Sequence, residues 1–145
     1  MSMRRNPEIT PERLNARGQG YLPGLVGIKI TALGDGEISG ELAVRKEIFA
    51  PNGYIHAASV IALADSLSGY GCVAHLPEGA SGFTTIELKS NFLGTAQTGH
   101  LECTARAVHL GRTTQVWDAP VIHRETGKTI ALFRCTQMIL WPQAS

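Results

Sequence analysis

One stretch of this chain constrains its fold more than any other. Ile55 to Ala74 is rich in Ala, Leu, Ile, Val, Gly and Ser and contains no proline. As a helix it would be roughly 30 Å long and apolar on nearly every side. Such a helix is either wrapped by protein or embedded in a membrane. Asp65 stands near its middle, with Ser59, Ser66, Ser68, Gly69 and Gly71 around it, and a carboxylate at the centre of a bilayer is costly. The pattern predicts a central helix packed inside a globular domain, with no membrane association.

The segments around that helix read as strands. Thr10-Pro11-Glu12 looks like an N-cap followed by proline at the first helical position, opening a short helix to about Gly18. Residues 1 to 8 are expected to fray. Leu25 to Ile30 is apolar and β-branched and predicts a first strand. Gly34-Asp35-Gly36 signals a turn, and Glu37 to Val44 then alternates, with Ile38, Gly40, Leu42 and Val44 on one side. Beyond the long helix, Thr85 to Phe92 sets Thr85, Glu87, Lys89 and Asn91 against Ile86, Leu88, Ser90 and Phe92. Leu101 to Val108, Thr113 to Val121 and Thr129 to Leu140 follow as further strands. The order predicts an α+β fold in which a largely antiparallel sheet packs on one helix. Residues 1–20 read as an N-terminal extension with its short helix, and 21–145 as the main domain.

Composition narrows the functional classes. A chain of 145 residues has room for one core. Its charged fraction of 17% lies below the roughly 25% of typical globular chains, which fits a protein that hides surface in a partner subunit. The formal net charge is +1 and the only adjacent basic pairs are Arg4-Arg5 and Arg45-Lys46, so a broad patch for nucleic acid is not expected. The N-terminus shows no long apolar run, and a cytoplasmic location is the expectation. Cys72, Cys103 and Cys135 are far apart, form no CxxC, and read as small buried hydrophobes. The five histidines show no close metal-ligand spacing, so neither a metal nor another cofactor is called for.

Three features could carry chemistry. Between Ala57 and Ala74, Asp65 is the only charged side chain. An ionised carboxylate in apolar surroundings is expensive unless paired. Asp65 therefore lies on a solvated face, or is a partner for an arginine such as Arg134, or is a reactive group whose proton affinity the setting tunes. The second feature is the helix start at Gly53-Tyr54-Ile55-His56-Ala57-Ala58, where backbone N–H groups lack intrahelical acceptors and could hold a developing oxyanion. A capping histidine at an ordinary helix start is the plainer account. Ala57 and Asp65 are about 12 Å apart along one helix, so they could meet at one reacting group only if two chains supply them. The third feature is His109-Leu110-Gly111-Arg112-Thr113-Thr114, either a plain hairpin turn or a grip for phosphates.

Taken together, Asn52 to Ala58, with Asp65 seven residues beyond Ala58, resembles the HGG-x6-D/E signature of hotdog-fold thioesterases. The subgroup is similar to the phenylacetate-degradation and 4-hydroxybenzoyl-CoA thioesterases. The resemblance spans roughly residues 22 to 140 and implies a hotdog fold, a sheet wrapped around one long helix. It implies hydrolysis of acyl-coenzyme A thioesters by a homodimer, extending to a homotetramer. Asp65 would be nucleophile or general base, and the N–H of Ala57 would polarise the carbonyl from the other subunit, beside His56. Thr85 would stand next to the carboxylate. Gly111, Arg112, Thr113 and Thr114 would lie near the coenzyme A nucleotide. Two positions depart from the pattern: the paired glycines are Ala57 and Ala58, and Ala50 stands where relatives often carry Asn or Gln, a role Asn52 could take over. The rival readings are a hotdog protein that binds acyl-coenzyme A without turning it over, and a hydratase acting on enoyl thioesters.

Overall fold

The computed structural model describes residues 4–143. Two short helices, α1 (Pro11–Gly18) and α2 (Leu22–Val26), lead into the hairpin β1 (Lys29–Gly34) and β2 (Glu37–Ala43). The long helix α3 (Ala57–Ala74) follows, and then β3 (Gly82–Phe92), β4 (His100–Leu110), β5 (Thr114–Asp118), β6 (Val121–His123) and β7 (Thr129–Leu140). Every pairing is antiparallel, in the order β1-β2-β4-β5-β7-β3, with β6 between β4 and β7. One face of this sheet packs on α3. The expected α+β architecture, a sheet around one long helix, is the one observed.

Close contact between the two layers depends on small residues. A Cβ on Gly71 of α3 would meet the Trp117 ring at 2.8 Å, so glycine lets the buried indole lie against the helix backbone. Val60, Leu63, Ala64 and Leu67 fill the rest of the seam with Ile38, Leu42, Leu101 and Ala105 of the sheet. His75 ends the helix: its Nδ1–H donates to the Gly71 carbonyl (2.7 Å), and Nε2 accepts from the Gly36 N–H in the β1–β2 turn (2.9 Å). That pair of partners fixes the neutral tautomer.

The differences from the sequence reading have local causes. Leu25 to Ile30 is not one strand. Pro23, in the first turn of α2, favours that helix, and Gly27, at φ 92°, closes it, so β1 begins only at Lys29. Thr113 to Val121 is broken at Ala119-Pro120 into β5 and β6. Residues 1–3 lie outside those described, but 4–8 are held rather than frayed: the Asn6 N–H donates to the Ala74 carbonyl (2.7 Å) and the Arg5 N–H to Asp35 (3.0 Å). Helix α1 shares the main core through Leu14, and the amide of Asn15 pairs with both backbone groups of Ile30, mimicking one more strand against β1. The β1 edge is thereby capped at Ile30, while Thr31 and Ala32 stay exposed. Among the described residues nothing pairs with the outer edge of β3, and Ile86 (53%), Leu88 (41%) and Phe92 (43%) are exposed on it. Helix α3 is not enclosed on all sides either: Ala62, Asp65, Ser66, Gly69, Tyr70 and Val73 are only half-buried.

Candidate active site

A β-bulge decides which residues face Asp65. Plain alternation puts Thr85 on the face of Glu87, Lys89 and Asn91. The register against β7 shifts between Thr85 and Glu87, with Thr85 opposite Gln137 and Leu88 opposite Cys135. Ile86 absorbs the extra position, so Thr85 joins Phe83, Leu88 and Ser90 on the helix side. A cavity of about 230 Å³ opens there, lined by Asp65, Ser66, Gly69, Tyr70 and Val73 of α3, Phe83 and Thr85 of β3, and Arg17 and Pro23. Gly69 admits the Phe83 ring, which would lie 3.1 Å from a Cβ at that position. The structure thus brings Asp65 and Thr85 to one cavity.

Among the described residues Asp65 has no ionic partner. Arg134, the alternative partner, makes a two-pronged ion pair with Asp118 on the opposite face of the sheet (2.5 and 2.8 Å). Oδ1 of Asp65 is buried without a hydrogen bond, and burial holds the carboxyl above its ordinary value. A carboxylate so placed is a better proton acceptor near neutrality than a solvated one. The amide of Gln137, opposite Thr85 on β7, is also buried and unpaired. The cysteines offer no competing nucleophile. Burial pushes Cys72 and Cys103 up to about 12, and burial, offset in part by a hydrogen bond with Ser68, takes Cys135 up to about 11.

The start of α3 presents one free donor. His56 is the N-cap, and its Nδ1 accepts from the Ala58 N–H at 2.9 Å. A neutral ring bonded this way carries its proton on Nε2. The Ser59 and Val60 N–H groups both reach the His56 carbonyl. Among the described residues, the Ala57 N–H is the one amide of that turn left without an acceptor, and it is exposed. Methyl side chains at 57 and 58 leave it accessible. Asn52 spends its side-chain oxygen on the Tyr54 N–H (3.1 Å), and Ala50 is tied through both backbone groups to the same turn.

The remaining candidates lie elsewhere. Gly111 opens the β4–β5 turn, where a Cβ would come within 2.8 Å of the Thr114 carbonyl oxygen. The Arg112 guanidinium stacks 4.6 Å over the Trp141 ring, and the indole N–H donates to the Arg112 carbonyl (3.1 Å). The Ile139 N–H donates to the Thr113 carbonyl, pinning the turn to the end of β7. Sequence reasoning missed Ser66, Gly69, Tyr70 and Val73 as cavity residues, although Gly69 and Val73 recur at helical spacing from Asp65. It also missed Trp141, Arg17 and Pro23, which only tertiary packing brings into place.

Comparison with known proteins settles the family. The model of the thioesterase superfamily matches residues 52–131. This chain belongs to the thioesterase superfamily. It is 31% identical over 111 residues to a 1,4-dihydroxy-2-naphthoyl-CoA hydrolase of Listeria monocytogenes, covering 77% of this chain and 89% of that one. A protein of the same description from Escherichia coli is 29% identical, over 92% and 96% of the two chains. The crystal structure of a mutant thioesterase from Pseudomonas aeruginosa superposes with a TM-score of 0.88 at 28% identity, over 94% and 97%. The fold is the hotdog fold of that superfamily, and the chain is a thioester hydrolase.

Proposed function

We propose that the chain hydrolyses acyl-coenzyme A thioesters at a site shared between two subunits, with Asp65 from one and the start of α3 from the other. The observation that carries this reading is a separation. The buried, unpaired carboxylate and the free Ala57 N–H lie about 12 Å apart on one helix. The outer edge of β3 supplies a way to join them. The Ile55 N–H donates to the Ala96 carbonyl (3.0 Å), so α3 begins beside the loop that follows Phe92, while Asp65 faces Thr85 toward the other end of the strand. Antiparallel pairing of β3 with its own copy across a twofold axis would set the Phe92 end of one chain against the Gly82 end of the next. That brings the partner's helix start toward Asp65 and Thr85, and covers Ile86 and Leu88.

In this arrangement the Ala57 N–H, with the Nε2–H of His56 beside it, polarises the thioester carbonyl. Asp65 attacks the carbonyl carbon or draws a proton from the attacking water, and Thr85 orients that water or the carboxylate. Coenzyme A leaves as the thiol. Arg112, held flat by Trp141, offers its N–H groups to a nucleotide phosphate. Naphthoyl-CoA hydrolysis by the relatives supports coenzyme A as the carrier. The test is release of free thiol from a panel of aromatic and aliphatic acyl-coenzyme A thioesters; turnover of at least one of them is expected. Binding without thiol release across the panel would favour the non-catalytic alternative.

A further inference from the structure

A polar row crosses the apolar seam between the sheet and α3. Thr85 on β3, Gln137 on β7 and Gln115 on β5 are register partners in turn, so all three face the helix at one level. Gln115 and Gln137 are fully buried. Gln115 is anchored at both ends of its amide: Oε1 accepts from the Trp117 indole N–H (2.9 Å), and Nε2 donates to the His75 carbonyl (3.0 Å). One amide proton of Gln115 remains to be given. Gln137 differs. Among the described residues neither its Oε1 nor its Nε2 has a hydrogen-bond partner. A buried amide in that condition costs stability, and folding alone would favour an apolar side chain between Cys135 and Ile139, its buried neighbours on the same face. The row ends at the candidate active site. Thr85 lines the Asp65 cavity. Cys135, one inward position along β7 from Gln137, is raised by burial and also by the Asp65 charge, so β7 passes close to the carboxylate.

We propose that Gln137 is a positioning residue that orients the Thr85 hydroxyl during hydrolysis, an inference that rests on the part given to Thr85 in the proposed reaction. Gln137 Oε1 takes the second amide proton of Gln115, and Gln137 Nε2–H donates to Thr85 Oγ1. The Thr85 O–H is then directed at the Asp65 carboxylate or the attacking water. Directly opposed residues of antiparallel strands have Cβ atoms about 4.5–5.5 Å apart, a gap that a glutamine amide spans by side-chain rotation alone.

The test is a double-mutant cycle in kcat, on the acyl-coenzyme A thioester turned over fastest, with Gln137→Met, Thr85→Val and the double variant. Gln137→Met should lower kcat about fivefold, the effect of one neutral hydrogen bond, with KM changed less than about twofold. It should melt at or above the wild-type temperature, because an unpaired amide leaves the core. In the Thr85→Val background the same substitution should change kcat less than about twofold, since no hydroxyl remains to be oriented. Gln137→Asn, which keeps the amide but withdraws it by one methylene, should repeat the loss, and it covers a Met variant that packs badly. Wild-type kcat in both Gln137 variants, an equal fold-loss with and without the Thr85 hydroxyl, or a Thr85→Val enzyme of wild-type kcat would overturn the inference while leaving thioester hydrolysis standing. No thiol release by the wild type from any thioester would instead overturn the thioesterase reading itself.

Discussion

Replacing Ala57 with proline removes one hydrogen-bond donor and little else. Ala57 is the first residue of α3, where proline's fixed φ is already helical. Among the described residues its N–H has no acceptor, so no known internal hydrogen bond is lost. His56 sits at φ −68°, ψ 138°, in the extended region that a residue before proline prefers. Stability should hold or rise by about 0.4–1 kcal/mol, because the unfolded chain loses freedom. Activity should fall. Neighbouring amides cannot take over, since Ala58 is bonded to the His56 ring and Ser59 and Val60 to its carbonyl. Loss of one oxyanion donor costs roughly 10²–10³-fold in kcat. The assay pairs single-turnover thiol release with a thermal melt, and Ala57→Gly, which keeps the N–H, serves as the control. A well-folded Ala57→Pro enzyme with kcat within threefold of wild type would refute the assignment of that N–H to the oxyanion.

Other consequences follow from the same geometry. Asp65→Asn should lower kcat about 10²–10⁴-fold. Because burial raises the Asp65 carboxyl, the folded state binds its proton more tightly than the unfolded state, and the ionised form costs stability at neutral pH. Asp65→Asn should therefore melt higher than wild type at pH 7, and the gap should close as pH falls through the raised value into the ordinary Asp range near about 3.9. Wild-type kcat/KM should decline over the same approach from above, as the base is protonated; a flat profile across that window would count against a carboxylate base. Arg112→Ala should raise KM with kcat little changed, as for a contact shared by ground and transition states, and an unchanged KM would remove Arg112 from the nucleotide. Gly71→Ala should destabilise by about 1–3 kcal/mol through collision with Trp117, read by chemical denaturation.

The parts of this molecule legible in its sequence were those fixed by local chemistry. The apolar run with one carboxylate announced α3 and Asp65, and the alternation from Glu37 gave β2 with Ile38 and Leu42 inward. Features set by tertiary approach were not legible. The side of the sheet that Thr85 faces depends on a bulge at Ile86, which no alternation rule reveals. The second short helix was hidden because Leu22-Pro23-Gly24 both stops one helix and starts another. Arg17 reaches Asp65's cavity only because Asn15 docks α1 on Ile30, a contact between residues that look unremarkable in order. His56 could be read either as a cap or as a site residue; it caps Ala58, and in doing so leaves Ala57 as the free amide.

The central claim is that two chains build each site, and co-expression of two inactive variants tests it most directly. Asp65→Asn keeps the helix start, and Ala57→Pro keeps the carboxylate. In a mixed dimer, one site combines the intact helix start of the first chain with the intact Asp65 of the second, while the other site carries both defects. Random assembly at equal expression places half the molecules in mixed dimers, so about a quarter of wild-type activity should return, far above either variant alone. Activity that stays at the level of the separate variants, with mixed dimers verified by differential tags, would contradict the shared site.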